Sequence, residues 1–456
     1  MLVQFPTREH VFSIHHFHQD NHYLDYIVMK YYSTKDTNHA HPFSLKDAAF
    51  AGLAPDGGLF IPERIPQVDM AKVEALADES YAAMATYLAQ TLFDDVPEAD
   101  MARLVADAYD FPVKLNSIGE GLYNLELFHG PTYAFKDFGA RFMGRMLGYL
   151  GDGEPITILA ATSGDTGSAV AHGFYGVDNV RVVILYPDGK VSPLQEAQMT
   201  TLGGNIHPLK VSGNFDDCQR LVKTMFKDAE LRSKVRITSA NSINLLRWMP
   251  QSFYYFYAYC MWKKATGTDN PVVAVPSGNY GNLAAGMLAK RMGLPIKGFV
   301  AASNTNSVVP EYLESGEYNP RPSVRTVANA MDVGDPSNFE RMMWLCDGSY
   351  DVMTEEVKGY WCNDEMILAA IKEISDLYGY VSCPHSAVGY LAVKEYSVDV
   401  FWLSTAHAAK FCEIIEKADV QEPELPSGLA LAMNKERVFT PMSTEAEDLA
   451  EFLCKF

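Results

Sequence analysis

Lys136 stands in the run His129-Gly-Pro-Thr-Tyr-Ala-Phe-Lys-Asp-Phe-Gly139, flanked by Phe135 and Phe138. A lysine is ordinarily solvated at the surface. An ammonium held among aromatic rings is partly desolvated, which lowers its pKa and favours the neutral amine that imine formation requires. Ser277-Gly278-Asn279-Tyr280-Gly281-Asn282 follows an apolar run and opens a helical one. Its glycines let several backbone N–H groups converge on one anion, and the helix dipole adds a favourable field. The motif is neither G-x-G-x-x-G nor G-x-x-x-x-G-K-[ST], which argues against a dinucleotide or nucleoside triphosphate; a plain strand-to-helix turn would look the same.

Three more segments carry groups of this kind. Ser163-Gly164-Asp165-Thr166-Gly167 puts small hydroxyls and amides at a helix start, suited to a carboxylate or phosphate, or simply to capping the helix. Asn241-Ser242-Ile-Asn-Leu-Leu-Arg247 offers amides, a hydroxyl and a guanidinium within two helical turns, enough to clamp a phosphate. A capped helix bearing a surface arginine is the plain alternative. Thr405, in Leu403-Ser-Thr-Ala-His-Ala-Ala-Lys-Phe411, could face a pyridine nitrogen or cap a helix. A neutral lysine together with a phosphate cradle suggests pyridoxal 5'-phosphate, whose aldehyde and phosphate would occupy the two in turn.

These loops need a frame that brings them together. From Ile156 onward the chain alternates apolar, β-branched runs with Gly/Ser/Asn loops and helix-period segments. Strands are expected at 156–161, 181–186, 206–211, one ending near Ser239, and at 272–275 and 296–301. Helices are expected through Tyr175, over 216–227 and through Met292. Three such units in succession argue for right-handed βαβ crossovers and a mostly parallel sheet, an α/β fold. Ligands of open parallel sheets sit at the carboxyl ends of the strands, where these loops lie. Residues 29–115 read differently, as a helical N-terminal domain with two or three amphipathic helices between Met70 and Ala108.

Lys and Arg number 37 against 57 Asp and Glu, a formal charge of −20, and such a field repels phosphate backbones and acidic lipid. Neither nucleic acid nor a membrane surface is therefore an expected partner. The longest aromatic-apolar run, Phe253 to Trp262, is about half the ~20 residues a membrane helix needs. Seven scattered cysteines without a Cys-x-x-Cys pair read as buried free thiols in a reducing compartment. Residues 1–28 read as an N-terminal extension outside the core. Its histidines (His10, His15, His16, His18, His22) fit either a metal site or an unselected leader, and no metal is expected in the core. With no signal or transit pattern, cytoplasmic residence is expected. Between Leu231 and Pro310, nine bases face a single acid, Asp269, so the anion-binding segments lie in a locally basic stretch.

Taken in this order, the segments resemble the threonine synthase family of fold type II pyridoxal-phosphate enzymes, the tryptophan-synthase-β-like fold. The resemblance is carried by Thr-x-Ala-Phe-Lys-Asp-Phe-Gly-Ala around Lys136, by Ser163 to Gly167, Asn241 to Arg247, Pro276 to Asn282 and Ser404 to Phe411, and it runs from Met29 to near the C-terminus. It implies two open, mostly parallel-sheet lobes with helices on both faces, spanning 116–456, the smaller (roughly 140–240) inserted in the larger. It implies that Lys136 holds the cofactor as a Schiff base and shuttles protons. Gly278, Asn279, Tyr280, Gly281 and Asn282 would bind its phosphate and Thr405 would meet the ring nitrogen. Ser163, Gly164, Asp165 and Thr166 would receive the substrate carboxylate, and Asn241, Ser242 and Arg247 the phosphate of O-phospho-L-homoserine. The implied protein is a monomer or homodimer. Two departures stand out. Many relatives in the wider fold carry Asn where this chain has Asp165, and Cys383-Pro-His-Ser resembles a family Asp-Pro-His-Thr segment, leaving His385 without an assigned role.

Overall fold

The structure is a computed structural model that describes residues 28–119, 121–162, 164–396 and 399–455. The extension and its histidine cluster, apart from Val28, lie outside the described residues, as does Ser163. The strands in chain order begin with β1 Tyr31–Ser33, β2 Phe60–Pro62, β3 Lys114–Gly119, β4 Leu122–Glu126 and β5 Ile156–Ala161. There follow β6 Val180–Pro187, β7 Ile206–Val211, β8 Ile237–Thr238, β9 Val272–Pro276, β10 Gly298–Ser303, β11 Val357–Trp361, β12 Val400–Ser404 and β13 Thr440–Met442.

Two main sheets result. The larger runs β11-β10-β9-β12-β4-β3 and the smaller β13-β7-β6-β5-β8. Every pairing in them is parallel except the β3/β4 hairpin. All six residues of β5 are buried, as befits a strand covered on both faces. The register places Phe401 of β12 opposite both Tyr123 of β4 and Val273 of β9, so the strand ends bearing Thr405, the 277–282 loop and the approach to Lys136 share one edge.

The N-terminal region holds the expected helices at Met70–Glu79, Tyr81–Leu92 and Glu98–Ala108, the first two capped by Asp69 and Ser80. It also contains an unexpected antiparallel ribbon, Tyr31 opposite Pro62 and Ser33 opposite Phe60. One continuous core runs from this region through Phe138, Phe142, Trp248, Tyr254 and Tyr255 to Val273 and Phe401 of the larger sheet.

The smaller lobe reaches beyond the 140–240 span. β13 pairs with β7, and Leu449 and Leu453 of the helix Ala446–Cys454 pack with Leu221 and Val222 of the helix Phe215–Lys227. All seven cysteines are free, but only five are buried: Cys412 is partly exposed and Cys454 is on the surface. The run Phe253 to Trp262 forms most of a buried-faced helix ending at Thr266, and no helix among the described residues is long and apolar enough to cross a membrane.

Candidate active site

Lys136 is the first residue of the helix Lys136–Leu150, and the chain entering it is stitched to the end of β12. Leu127 donates its N–H to the Ser404 carbonyl (3.0 Å), and Phe135 to that of Thr405 (2.8 Å). Just before the lysine, Tyr133 reverses the chain at φ 56°, a left-handed conformation that costs a non-glycine residue roughly 1 kcal/mol or more. The Lys136 ammonium lies 5.9 Å from the centre of the Phe135 ring. Phe138 points away into the core against Tyr254 and Phe111, so only one of the two flanking aromatics faces the amine. Burial pushes the Lys136 pKa down; Asp165 opposes this, while the positive charges of Lys410 and Arg247 add to it.

Asp165 does not offer its carboxylate to an incoming anion. Its Oδ1 pairs with Lys410 Nζ at 2.6 Å, with both side chains essentially buried, and accepts a hydrogen bond from Gln195 Nε2 at 3.0 Å. Burial alone would raise this carboxyl, but Lys410 and Lys136 outweigh it and hold it well below the usual carboxylate range. Lys410 also donates to the Thr132 carbonyl (2.8 Å), which ties the helix after Thr405 to the loop before Lys136. What Asp165 and Thr166 have left for a ligand is the start of their helix, Asp165–Phe174, entered through Gly164 at φ 148°. It is this φ that favours glycine, and a Cβ there would also push on the Gln195 amide, 2.4 Å away.

The loop 277–282 behaves as a strand-to-helix turn at the start of the helix Gly281–Arg291. Gly278 is required by packing: a Cβ there would lie 2.6 Å from the Met331 Cα. Tyr280 turns the chain at φ 58° and buries its hydroxyl against Ser303 Oγ, so of this residue the backbone faces the loop interior. The Asn279 side chain is engaged by protein: its Oδ1 accepts from Ser337 N (2.7 Å) and its Nδ2 donates to Ser242 Oγ (2.8 Å). Asn282 Oδ1 accepts from the hydroxyls of Tyr254 and Tyr255, both at 2.7 Å, while its Nδ2 is a buried donor without a partner.

The 241–247 segment packs directly onto the lysine helix. Asn244 caps the short helix Leu245–Trp248, and a Cβ on Gly139 would strike the Arg247 carbonyl at 2.5 Å. Arg247 is 4% exposed, its Nε and Nη1 have no hydrogen-bond partner, and no carboxylate among the described residues pairs with it. Burial pushes its pKa down to about 10, with Asp137 opposing. The plain alternative of a surface arginine is therefore excluded. Unpartnered buried donors are costly unless something fills their valence, and here they belong to cationic or amide groups that suit anions. Ser242 Oγ accepts from both Asn279 Nδ2 and Asn338 Nδ2 (3.1 Å), so its own proton is left to donate.

Thr405 is buried, its N–H bonded to Ser386 Oγ (2.9 Å) and its carbonyl to the Phe135 N–H, which fixes its backbone at the end of β12. Cys383 caps the helix carrying Ser386. His385 Nε2 accepts from Ala330 N (3.1 Å), and burial pushes its pKa down to about 4, so the ring is a neutral packing group holding the 329–331 turn beside Gly278. Sequence reading missed Lys410, Gln195, Asn338 and Arg341. Lys410 stands five residues after Thr405, but nothing in the neighbouring sequence marks its partner, Asp165.

A desolvated lysine and a turn whose buried amide lacks a partner fit pyridoxal phosphate, and the chain is a pyridoxal-phosphate-dependent enzyme of fold type II. Residues 113–400 match the pyridoxal-phosphate dependent enzyme family, 30–109 the threonine synthase N terminus and 386–453 the threonine synthase C-terminal family. The chain is similar to the threonine synthase of Serratia marcescens, 41% identical over 93% of this chain and 99% of that protein. It is 45% identical to that of Haemophilus influenzae over 85% of this chain and 91% of the other. The crystal structure of a PLP-bound threonine synthase from Brucella melitensis superposes with a TM-score of 0.89 at 37% identity, covering 93% of this chain and 99% of that one. The chain belongs to the threonine synthase family.

Proposed function

We propose that this enzyme converts O-phospho-L-homoserine and water to L-threonine and inorganic phosphate. The observation that carries the reading is Arg247, a buried guanidinium with two unpartnered nitrogens and no paired carboxylate among the described residues, close enough to Lys136 to act on its charge and five residues after Ser242, whose hydroxyl has a proton left to donate. It makes a second anion site distinct from the 278–282 turn. A substrate with a carboxylate at one end and a phosphate at the other needs one.

Bound pyridoxal phosphate supplies an electron sink that acidifies the carbon bearing the substrate's amino group. Lys136, Gly278, Asn279, Tyr280, Gly281, Asn282 and Thr405 are the residues we assign to holding it, Gly278 to Gly281 through backbone and Asn282 through Nδ2. Thr405 would offer the ring nitrogen a neutral hydroxyl, which unlike a carboxylate does not by itself enforce a proton there. Lys136 Nζ, biased towards the neutral amine by burial and by Lys410 and Arg247, takes the proton at Cα. The leaving group sits two bonds further on, at Cγ, so a proton at Cβ must also be lost before phosphate departs. Ser242, Arg247 and the Asn241 amide hold that phosphate in place while this happens. A proton then returns to Cγ, which makes Cβ the electrophilic carbon, water adds there, and the last proton returns to Cα. Ser163, Gly164, Asp165 and Thr166 receive the substrate carboxylate through backbone N–H groups and hydroxyls, since the Asp165 carboxylate is occupied by Lys410.

Residues 29–115 we read as a brace for this clamp, supported by the bond from Asn244 Nδ2 to the Ala49 carbonyl (2.8 Å). The charge of −20 supports a small-molecule partner over nucleic acid, and free thiols support a cytoplasmic location; monomer or homodimer remains the reading of oligomeric state. The test is to incubate the holoenzyme with O-phospho-L-homoserine and measure phosphate and threonine together. Equal release of both is expected; phosphate accompanied by 2-oxobutanoate would mean a phospholyase. Arg247→Met should raise KM steeply, and unchanged turnover of the phosphorylated substrate would overturn the clamp.

A further inference from the structure

Behind the clamp lies a second buried arginine. Arg341, on the helix Phe339–Leu345, is fully buried and stacks 4.3 Å over the Trp248 ring, the residue following Arg247. Its Nη1 donates to the Ser242 carbonyl (2.8 Å) and to Asn338 Oδ1 (2.9 Å). Its Nη2 donates to the Ile243 carbonyl (2.7 Å) and to that of Phe60 in the N-terminal ribbon (3.1 Å). Every acceptor is neutral. The neighbouring carboxylate, Glu340, is engaged by the Thr34 hydroxyl, and Arg341 Nε has no partner.

A buried cation without a counter-ion is expensive, and four neutral acceptors do not cancel its charge. Burial pushes its pKa down to about 9, with Glu340 opposing. Two of its four bonds end on consecutive carbonyls of the clamp loop. A third holds Asn338, whose Nδ2 donates to Ser242 Oγ (3.1 Å) and to the Asn279 carbonyl (3.0 Å). Arg341 therefore controls both the peptide that carries Ser242 and, through Asn338, the direction in which that hydroxyl donates. Asn338 also ties the clamp to the 277–282 turn, so the two anion sites share one support.

We propose that Arg341, acting with Asn338, is a positioning residue for the substrate's phosphate: it fixes Ser242 and supplies a second positive charge behind the Ser242–Arg247 clamp. This rests on the reading of that clamp as the substrate-phosphate site.

The test compares Arg341→Met, Arg341→Lys, Asn338→Ala and Arg247→Met as holoenzymes. Measured are kcat and KM for O-phospho-L-homoserine, the dissociation constant of inorganic phosphate by calorimetry, cofactor content and Tm. Arg341→Met should weaken phosphate binding and raise KM by about tenfold or more, with kcat changed by less than about threefold and cofactor content retained. Arg341→Lys, which keeps the charge but cannot span four acceptors, should fall between it and the parent. Lowered Tm or kcat with phosphate affinity unchanged would reduce Arg341 to a packing residue and overturn the proposal. If Arg341→Met does not fold, unchanged phosphate affinity in both Arg341→Lys and Asn338→Ala overturns it equally. Should Arg247→Met itself leave phosphate binding intact, the clamp reading fails; if Arg247→Met weakens it and the Arg341 and Asn338 variants do not, only the present proposal fails.

Discussion

Replacing Lys410 by methionine tests the electrostatics of the site most directly. The ammonium sits 2.6 Å from Asp165 Oδ1, with the two side chains 0% and 5% exposed. Removing one member of such a pair strands the other, typically at ~3–5 kcal/mol. In Lys410→Met the carboxylate keeps the Gln195 amide at 3.0 Å and the nearby charge of Lys136, which puts the cost near the lower bound, about 3 kcal/mol. Asp165→Asn strands Lys410 instead, with the Thr132 carbonyl as its remaining acceptor, and should cost at least as much. The double variant removes both charges and should be no worse than either single change, a coupling of about 3 kcal/mol. The assay is the thermal midpoint of cofactor-free protein, which keeps ligand linkage out of the comparison. For a cooperative unit of about 150–250 residues, 3 kcal/mol corresponds to a fall of roughly 6–12 °C in each single variant. Singles within about 2 °C of the parent, or a double variant falling by the sum of the two, would refute the reasoning.

Other outcomes follow from the same geometry. Lys136→Ala should leave no cofactor attached after borohydride reduction, read by intact mass, whereas attachment at another residue would displace Lys136 from its role. Gly278→Ala pushes a methyl to within 2.6 Å of the Met331 Cα, and should cost about 1–3 kcal/mol while weakening cofactor affinity, measured by equilibrium dialysis. The Asp137 carboxyl is pushed up to about 6 by burial, against hydrogen bonds from Thr132. Its folded pKa exceeds the unfolded one, so the native state binds the extra proton, and this group's contribution to stability falls as pH rises from about 4 to about 6. Plotted against pH, the Tm difference between parent and Asp137→Asn should change across that window and level off above it; a flat difference would contradict the shift.

The strands β5 and β7 coincide with the runs 156–161 and 206–211, because in each a short, largely apolar run is closed at both ends by Gly, Asn or Ser turn residues, which leaves little freedom in where the strand begins. β3 gives no such signal because Lys114 to Gly119 is only partly buried and has no apolar run, and β13 because three residues around a proline carry no period. Lys136, Arg247 and Thr405 could be singled out in the chain because each stands in a short run of residue types suited to binding. Lys410 and Arg341 could not, since their partners lie 245 and 99 residues away, at Asp165 and Ser242. Spacing also misjudged Phe138: two residues along a helix from the lysine, it belongs to the opposite face.

The pairing of β13 with β7 bears on how the molecule is made. The smaller sheet is assembled from residues 156–238 and again from 440–442, with the whole of β9 to β12 lying between them in the chain. During synthesis the first four strands of that sheet emerge long before the fifth, and the β7 edge stays open, with the part of the helix Phe215–Lys227 that meets Leu449 and Leu453 uncovered, until residues 440–454 have been made. Loss of residues 440–456 would make that transient state permanent. A chain ending at Phe439 should keep its larger lobe and expose a sticky, unpaired strand, surviving in the cell only as long as chaperones shield it.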